Sequence, residues 1–264
     1  MAFLSNKIGS IMLYRKTSFL YGLICGSCLA AILGCGIFGI TIYKGFVIAA
    51  LIFAIGTYLC AISAEKTTRE LRNILFTDMN PDLFLKEFMA KVFSKDAKNW
   101  GLLETLLVSK AYETMGKFNS AEYMYIDFLN RRNQDVQAQI VVISKLVILY
   151  SDIGNDVAAL KANSRLTSVI EGVQLPENIA NYVTVARYCS LACAGEAEKC
   201  IEYFKLECNS EGYSLSKVNM HYRLARLYEQ CGQTENALHE YRIAEKDGKQ
   251  TYAAIKARER LTNE

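Results

Sequence analysis

Leu224-Ala225-Arg226-Leu227-Tyr228-Glu229-Gln230-Cys231-Gly232, continuing through Ala237 and Tyr241 to Ala244, is the stretch whose reading decides the fold. Reduced to its recurring positions it is Leu224-Ala225-x-x-Tyr228-x-x-x-Gly232-x-x-x-x-Ala237-x-x-x-Tyr241-x-x-Ala244. An earlier stretch has nearly the same grammar: Val108-Ser109-x-x-Tyr112-x-x-x-Gly116-x-x-x-x-Ala121-x-x-x-Tyr125-x-x-Phe128. The pattern predicts two helices joined by a tight turn. A large-small pair and a Tyr pack inside the first helix, Gly makes the turn, and the small Ala lets the second helix approach.

Two looser copies lie between these. Leu146, Tyr150, Gly154 and Ala159 keep part of the pattern, as do Val185-Ala186, Gly195, Cys200 and Phe204. The four turn glycines are 38, 41 and 37 residues apart. Lys249 to Leu261 reads as a closing helix that covers the last copy, as the end of a helical stack requires. Together these residues resemble the tetratricopeptide repeat, a helix–turn–helix unit of about 34 residues. The resemblance covers residues 100–264 and implies a curved stack of paired helices with a concave surface that binds peptides or other proteins. An unrelated helical bundle is the competing reading.

Working back toward the N-terminus, Asn80-Pro81 reads as a helix start, since Asn caps and Pro suits the first turn. That helix presents Leu83, Phe84, Phe88 and Val92, and Ser94 to Asn99 is a polar connector. Residues 65–99 thus join the repeat region to what precedes it, or add an atypical repeat to it.

Ahead of them lies Thr17 to Ala64, in which Lys44 is the only charged side chain. A membrane-crossing helix needs roughly 20 apolar residues, and residues 19–43 and 46–64 both qualify, with a short turn at Lys44. Lys7, Arg15 and Lys16 precede the first span, and Lys66, Arg69 and Arg72 follow the second. The positive-inside bias places both termini, including the tail 1–16, in the cytoplasm. The compact hairpin and short tails resemble bacterial plasma-membrane proteins. A cleaved signal peptide would have a shorter apolar core and no second span close behind. The run Ile32-Leu33-Gly34-Cys35 matches a lipoprotein box imperfectly, because Leu33 departs from the usual small residue.

Gly22, Gly26, Ala30 and Gly34 recur every four residues and line one face of the first span. Such a face permits close helix approach, either between the two spans of one chain or between chains as a homo-oligomer. The spacing favours the first of these. Gly34-x-Gly36-x-x-Gly39 matches a dinucleotide fingerprint by letters only, because it lies in lipid without a preceding strand. Cys25-x-x-Cys28 likewise lacks the setting of a redox pair.

The net charge of +3 in 264 residues is too mild to argue for nucleic acid. Nine Cys residues without a regular framework read as reduced thiols in a cytoplasmic setting. Cys189, Cys193, Cys200 and Cys208 lack the paired spacing of a zinc knuckle and read as core thiols. His221 and His239 read as lone histidines on solvent faces. No phosphate loop, carboxylate dyad or nucleophile elbow is present, so neither an enzyme nor a cofactor is expected.

The expected fold is therefore all-α: a two-span transmembrane hairpin followed by an α-α superhelical solenoid like the tetratricopeptide family's. If the first helices line the concave side, Lys110, Arg187, Tyr222 and Arg226 project into it. Basic groups beside an aromatic suit an acidic peptide or a terminal carboxylate. The family's Asn-rich carboxylate clamp is absent. The expected role is a membrane-anchored scaffold for a protein or peptide partner. A structural subunit recognised through its spans and a peptide-responsive sensor are the alternatives.

Overall fold

The computed structural model describes residues 15–37, 42–92, 96–131 and 134–262. Among them every regular element is helical, and there are twelve α-helices. These are α1 (Arg15–Ile37), α2 (Ile42–Arg72), α3 (Pro81–Lys91), α4 (Leu102–Thr114), α5 (Phe118–Asn130) and α6 (Val136–Asp152), then α7 (Asp156–Ile170), α8 (Glu177–Cys193), α9 (Ala197–Asn209), α10 (Ser214–Gln230), α11 (Thr234–Asp247) and α12 (Tyr252–Thr262). Lys7 with most of the N-terminal tail, Gly39, and Ser94 at the head of the polar connector lie outside the described residues.

The chain divides into two compact units. The first holds the described residues up to Asn73 together with Leu85–Gly101, and the second holds Ile74–Phe84 and Leu102 onward. The stretch 65–99, expected as one connector, is thus shared between the two.

In the first unit, α1 and α2 contain windows of mean hydropathy 1.7 and 2.3, and both helices are long and apolar enough to cross a membrane. They pack along each other. Ile24 lies so close to Gly56 that a Cβ added there would meet its Cγ1 at 2.6 Å. Tyr21 stands edge-on to Phe53 at 6.0 Å, and the Cys28 thiol donates to the Ala49 carbonyl at 3.3 Å.

Two expectations need correcting here. Lys44 is not the turn: α1 ends at Ile37 and α2 begins at Ile42, so Lys44 sits in the first turn of α2. A lysine at a helix end can carry its charge outward along its own stem, so it does not force a break. Nor does the small-residue face join the two helices. Cβ atoms added at Gly22, Gly26 and Gly34 would meet nothing within 4 Å, and Ala30 is exposed. The close approach falls instead at Gly56, on the other helix.

Helix α2 runs on past its apolar part into a π-helical turn, Asn73–Thr77. Asn80 then caps α3 as expected, accepting from Leu83 N–H at 3.0 Å. Within the first unit, Phe88 packs edge-on to Trp100 at 5.1 Å, and Lys91 lies between Glu70 and Glu87.

The second unit repeats one local structure four times. At Gly116, Gly154, Gly195 and Gly232 φ is +74°, +75°, +85° and +70°, a region costly for any residue with a Cβ. Each glycine closes its helix with the same two bonds. Gly116 N–H reaches Glu113 O and Lys117 N–H reaches Tyr112 O; Gly232 and Gln233 do the same to Glu229 and Tyr228. The looser copies match: Gly154 and Asn155 bond to Ser151 and Tyr150, and Gly195 and Glu196 bond to Ala192 and Leu191. This pair of bonds defines a Schellman motif, which satisfies carbonyls that a helix end leaves orphaned.

Five residues after each glycine stands a small side chain: Ala121, Ala159, Cys200 and Ala237, none more than 2% exposed. Cys200 takes the alanine role and donates its thiol to the Tyr188 carbonyl at 3.3 Å. Nine residues after each glycine, Tyr125, Phe204 and Tyr241 are buried aromatics. Asn163 stands at that place in the second copy, and α7 correspondingly buries only Ala159 and Leu166. The closing helix begins at Tyr252, three residues later than expected.

Candidate functional site

Helices α4, α6, α8, α10 and α12 turn side chains toward one another and gather an unusual number of charges. On α4, Lys110 Nζ pairs with Glu113 at 2.9 Å, and the buried Glu113 also accepts from Tyr125 OH at 2.7 Å. Burial first, and the Glu113 carboxylate second, push the Tyr125 phenol well above its ordinary range. From α10, Arg223 grips Asp152 at the end of α6 with both Nε and Nη2, at 2.7 and 2.6 Å. Burial alone would raise the Asp152 carboxyl, but Arg223, Lys110 and Arg226 outweigh it and hold the group below the usual range.

Arg226 donates from Nη1 to the carbonyls of Ser151 and Asp152, at 2.9 and 3.1 Å. It thereby serves the orphan acceptors in the last turn of α6. Lys145, also on α6, stands over the Tyr182 ring at 4.8 Å. Burial pushes its ammonium down to about 8. An aromatic chain completes the arrangement: Tyr222 lies 6.4 Å from Tyr252, and Tyr252 is edge-on to Phe118 at 4.6 Å. The last helix thus meets the turn between the first two of the unit, and Tyr252 lies where a Cβ on Gly116 would stand.

Three of the four expected binding residues therefore come together, but as internal parts. Lys110, Tyr222 and Arg226 are engaged with neighbours in the chain, while Arg187 is exposed on α8 and makes none of these contacts. The space left among Lys110, Glu113, Asp152, Asn219, Tyr222 and Tyr252 is a cavity of about 20 Å³, enough for a water molecule and not for a peptide. Sequence reasoning missed Glu113, Asp152 and Arg223, which carry no local signature. Lys145 did have one, as the lone charge in Ile140–Leu149.

Elsewhere the unit leaves apolar side chains uncovered. Val157 and Leu160 in the first turns of α7 are exposed, Val157 at 79%, and Ile153, which caps the end of α6 before the Gly154 turn, is exposed as well. The eight described cysteines are free thiols. Burial pushes Cys189 and Cys208 up to about 12, and Cys193 and Cys200 to about 11. His239 is exposed, but His221 is not the solvent-facing histidine expected, for it is half-buried with Nδ1 2.6 Å from Glu240 Oε2.

Comparison of the chain with family models, curated proteins and solved structures returned no match.

Proposed function

We propose that the protein is a membrane-anchored interaction scaffold that acts by binding and not by catalysis. On this reading α1 and α2 form a two-span hairpin with both termini in the cytoplasm, in a bacterial plasma membrane. Residues 100–264 form a cytosolic solenoid of the tetratricopeptide kind. Tethering raises the effective concentration of partners at the same surface without any new contact.

The observation that carries the reading is the exposed apolar pair Val157 and Leu160 in the first turns of α7, with exposed Ile153 just before that helix. Apolar side chains left together in water are a protein-binding feature. The partner contact accordingly moves from the inner curve to the outer face of α7, with exposed Arg187 of α8 as a further point of contact. Photo-crosslinkers placed singly at Val157, Arg187 and Tyr222 in cells test this. Crosslinks to another protein from the first two and none from Tyr222 are expected. A product from Tyr222 alone would restore the inner groove and remove the outer face.

A structural subunit recognised through its spans is the second reading. The unfilled face of Gly22, Gly26, Ala30 and Gly34 favours it, since a helix from another chain can approach closely there. Exchange of residues 17–64 for an unrelated two-span anchor separates the two readings. Retained function supports the scaffold, and lost function the subunit.

A further inference from the structure

Three consecutive helices of the second unit bring different metal-binding side chains to one point. Cys208 ends α9, His221 lies in the middle of α10, and Glu240 lies in the middle of α11. One ligand atom from each, a thiol sulfur, an imidazole nitrogen and a carboxylate oxygen, lies within 4.8 Å of the others. Among the described residues no other group of three or more such side chains converges in this way.

We propose that Cys208, His221 and Glu240 form a binding site for one divalent transition-metal ion of borderline softness, zinc above all. The donor set is the one zinc takes, with sulfur at about 2.3 Å and nitrogen and oxygen at about 2.0–2.2 Å in a tetrahedron. Those lengths place the donors roughly 3.3–3.7 Å apart. The His221–Glu240 pair at 2.6 Å must open slightly and Cys208 close in, movements within the reach of side-chain rotation.

Charge favours the same occupant. A thiolate and a carboxylate balance a dication, and neutral imidazole adds nothing, so the loaded site is neutral in a setting where an unbalanced charge would be costly. Cys208 is 8% exposed, whereas the side chains of His221 and Glu240 remain 18% and 14% exposed. Solvent therefore reaches one side of the site, which leaves a fourth position for water. Loading the site displaces the Cys208 thiol proton. The ion takes the place of that proton, which leaves to solvent as the metal–sulfur bond forms. Bound there, the metal clips α9 to the last helix–turn–helix pair.

The full chain in detergent, freed of metal with a chelator, is titrated with Co2+ and followed by absorption. One equivalent should produce an intense thiolate-to-cobalt charge-transfer band that added Zn2+ abolishes. C208S should lose the band, and C200S, which alters another buried thiol, should keep it. E240Q preserves a hydrogen bond to His221 but is a poor ligand, and should weaken Co2+ binding by more than about tenfold. Zn2+ should raise the melting temperature of the wild-type chain. Absence of the band from the wild-type protein overturns the site whether or not any variant folds. A band of unchanged intensity in folded C208S overturns it as well.

Discussion

Small residues stand on helices of both units, and they meet opposite fates. In the second unit Ala111, Ala121, Ala159, Ala186, Ala225 and Ala237 all lie at buried helix contacts. In α1, Gly22, Gly26, Ala30 and Gly34 recur every four residues on one helix, yet Cβ atoms on the three glycines would meet nothing within 4 Å and Ala30 is exposed. In water, burying apolar surface around a small residue is driven at about 25 cal/mol per Å². In a bilayer, the setting proposed for α1, no such drive acts, and a small face is closed only by a partner whose packing is good enough. A small residue therefore marks a helix contact in the second unit and an open surface in α1.

The comparison breaks most visibly where the buried side holds charges. Asp152→Ala leaves Arg223 without its partner and should cost about 3–5 kcal/mol of stability, read from denaturant unfolding at neutral pH. The double variant Asp152→Ala/Arg223→Met should recover much of that loss. Because the folded carboxyl lies below its unfolded value, its contribution is present above about pH 4 and disappears as pH falls through the folded value. The deficit of Asp152→Ala should shrink accordingly in acid.

A next, smaller effect concerns the packing itself. Ala225→Leu places three extra carbons in a filled contact and should destabilise by about 1–3 kcal/mol. A melting curve that matches the wild type would show that α10 and α11 are not tightly packed there.

Lys145 sharpens the comparison with the opposite sign. Burial brings its ammonium down to about 8 from 10.5, so between those values the folded chain binds fewer protons than the unfolded chain and stability rises with pH. Lys145→Met should therefore raise the melting temperature at pH 7, with the gain fading as pH climbs past 8. A gain that is flat across that range would remove the burial explanation.

Gly26→Leu should produce the smallest change in folding, about 0.5 kcal/mol or less, since open space surrounds it. Its effect belongs to assembly. A fall in self-association in a membrane reporter would point to a second copy on that face, and unchanged association to no copy there.

Much of this was legible in the sequence because glycine geometry is local. Gly116, Gly154, Gly195 and Gly232 could be found by spacing alone, and the turns of the two loose copies match those of the two clear ones. The packing positions were less legible, since Asn163 fills the place of an aromatic and Cys200 that of an alanine. The candidate site was read only in part. Lys110, Tyr222 and Arg226 do come near one another, but their partners come from residues as far as 75 positions away. No sequence window holds Asp152 and Arg223 together, and the convergence of Cys208, His221 and Glu240 depends equally on how three helices stack.

The edge-on contact of Tyr252 with Phe118 fastens α12 to the start of α5. A row of helix pairs whose members touch only sequence neighbours can fray from either tip and melt piecemeal. Here freeing α12 uncovers Gly116, Phe118 and Tyr222 in a single event. The helix pairs are buckled like a belt, so a chain stopped before Tyr252 loses its hold on the α4–α5 pair and the α10–α11 pair at once.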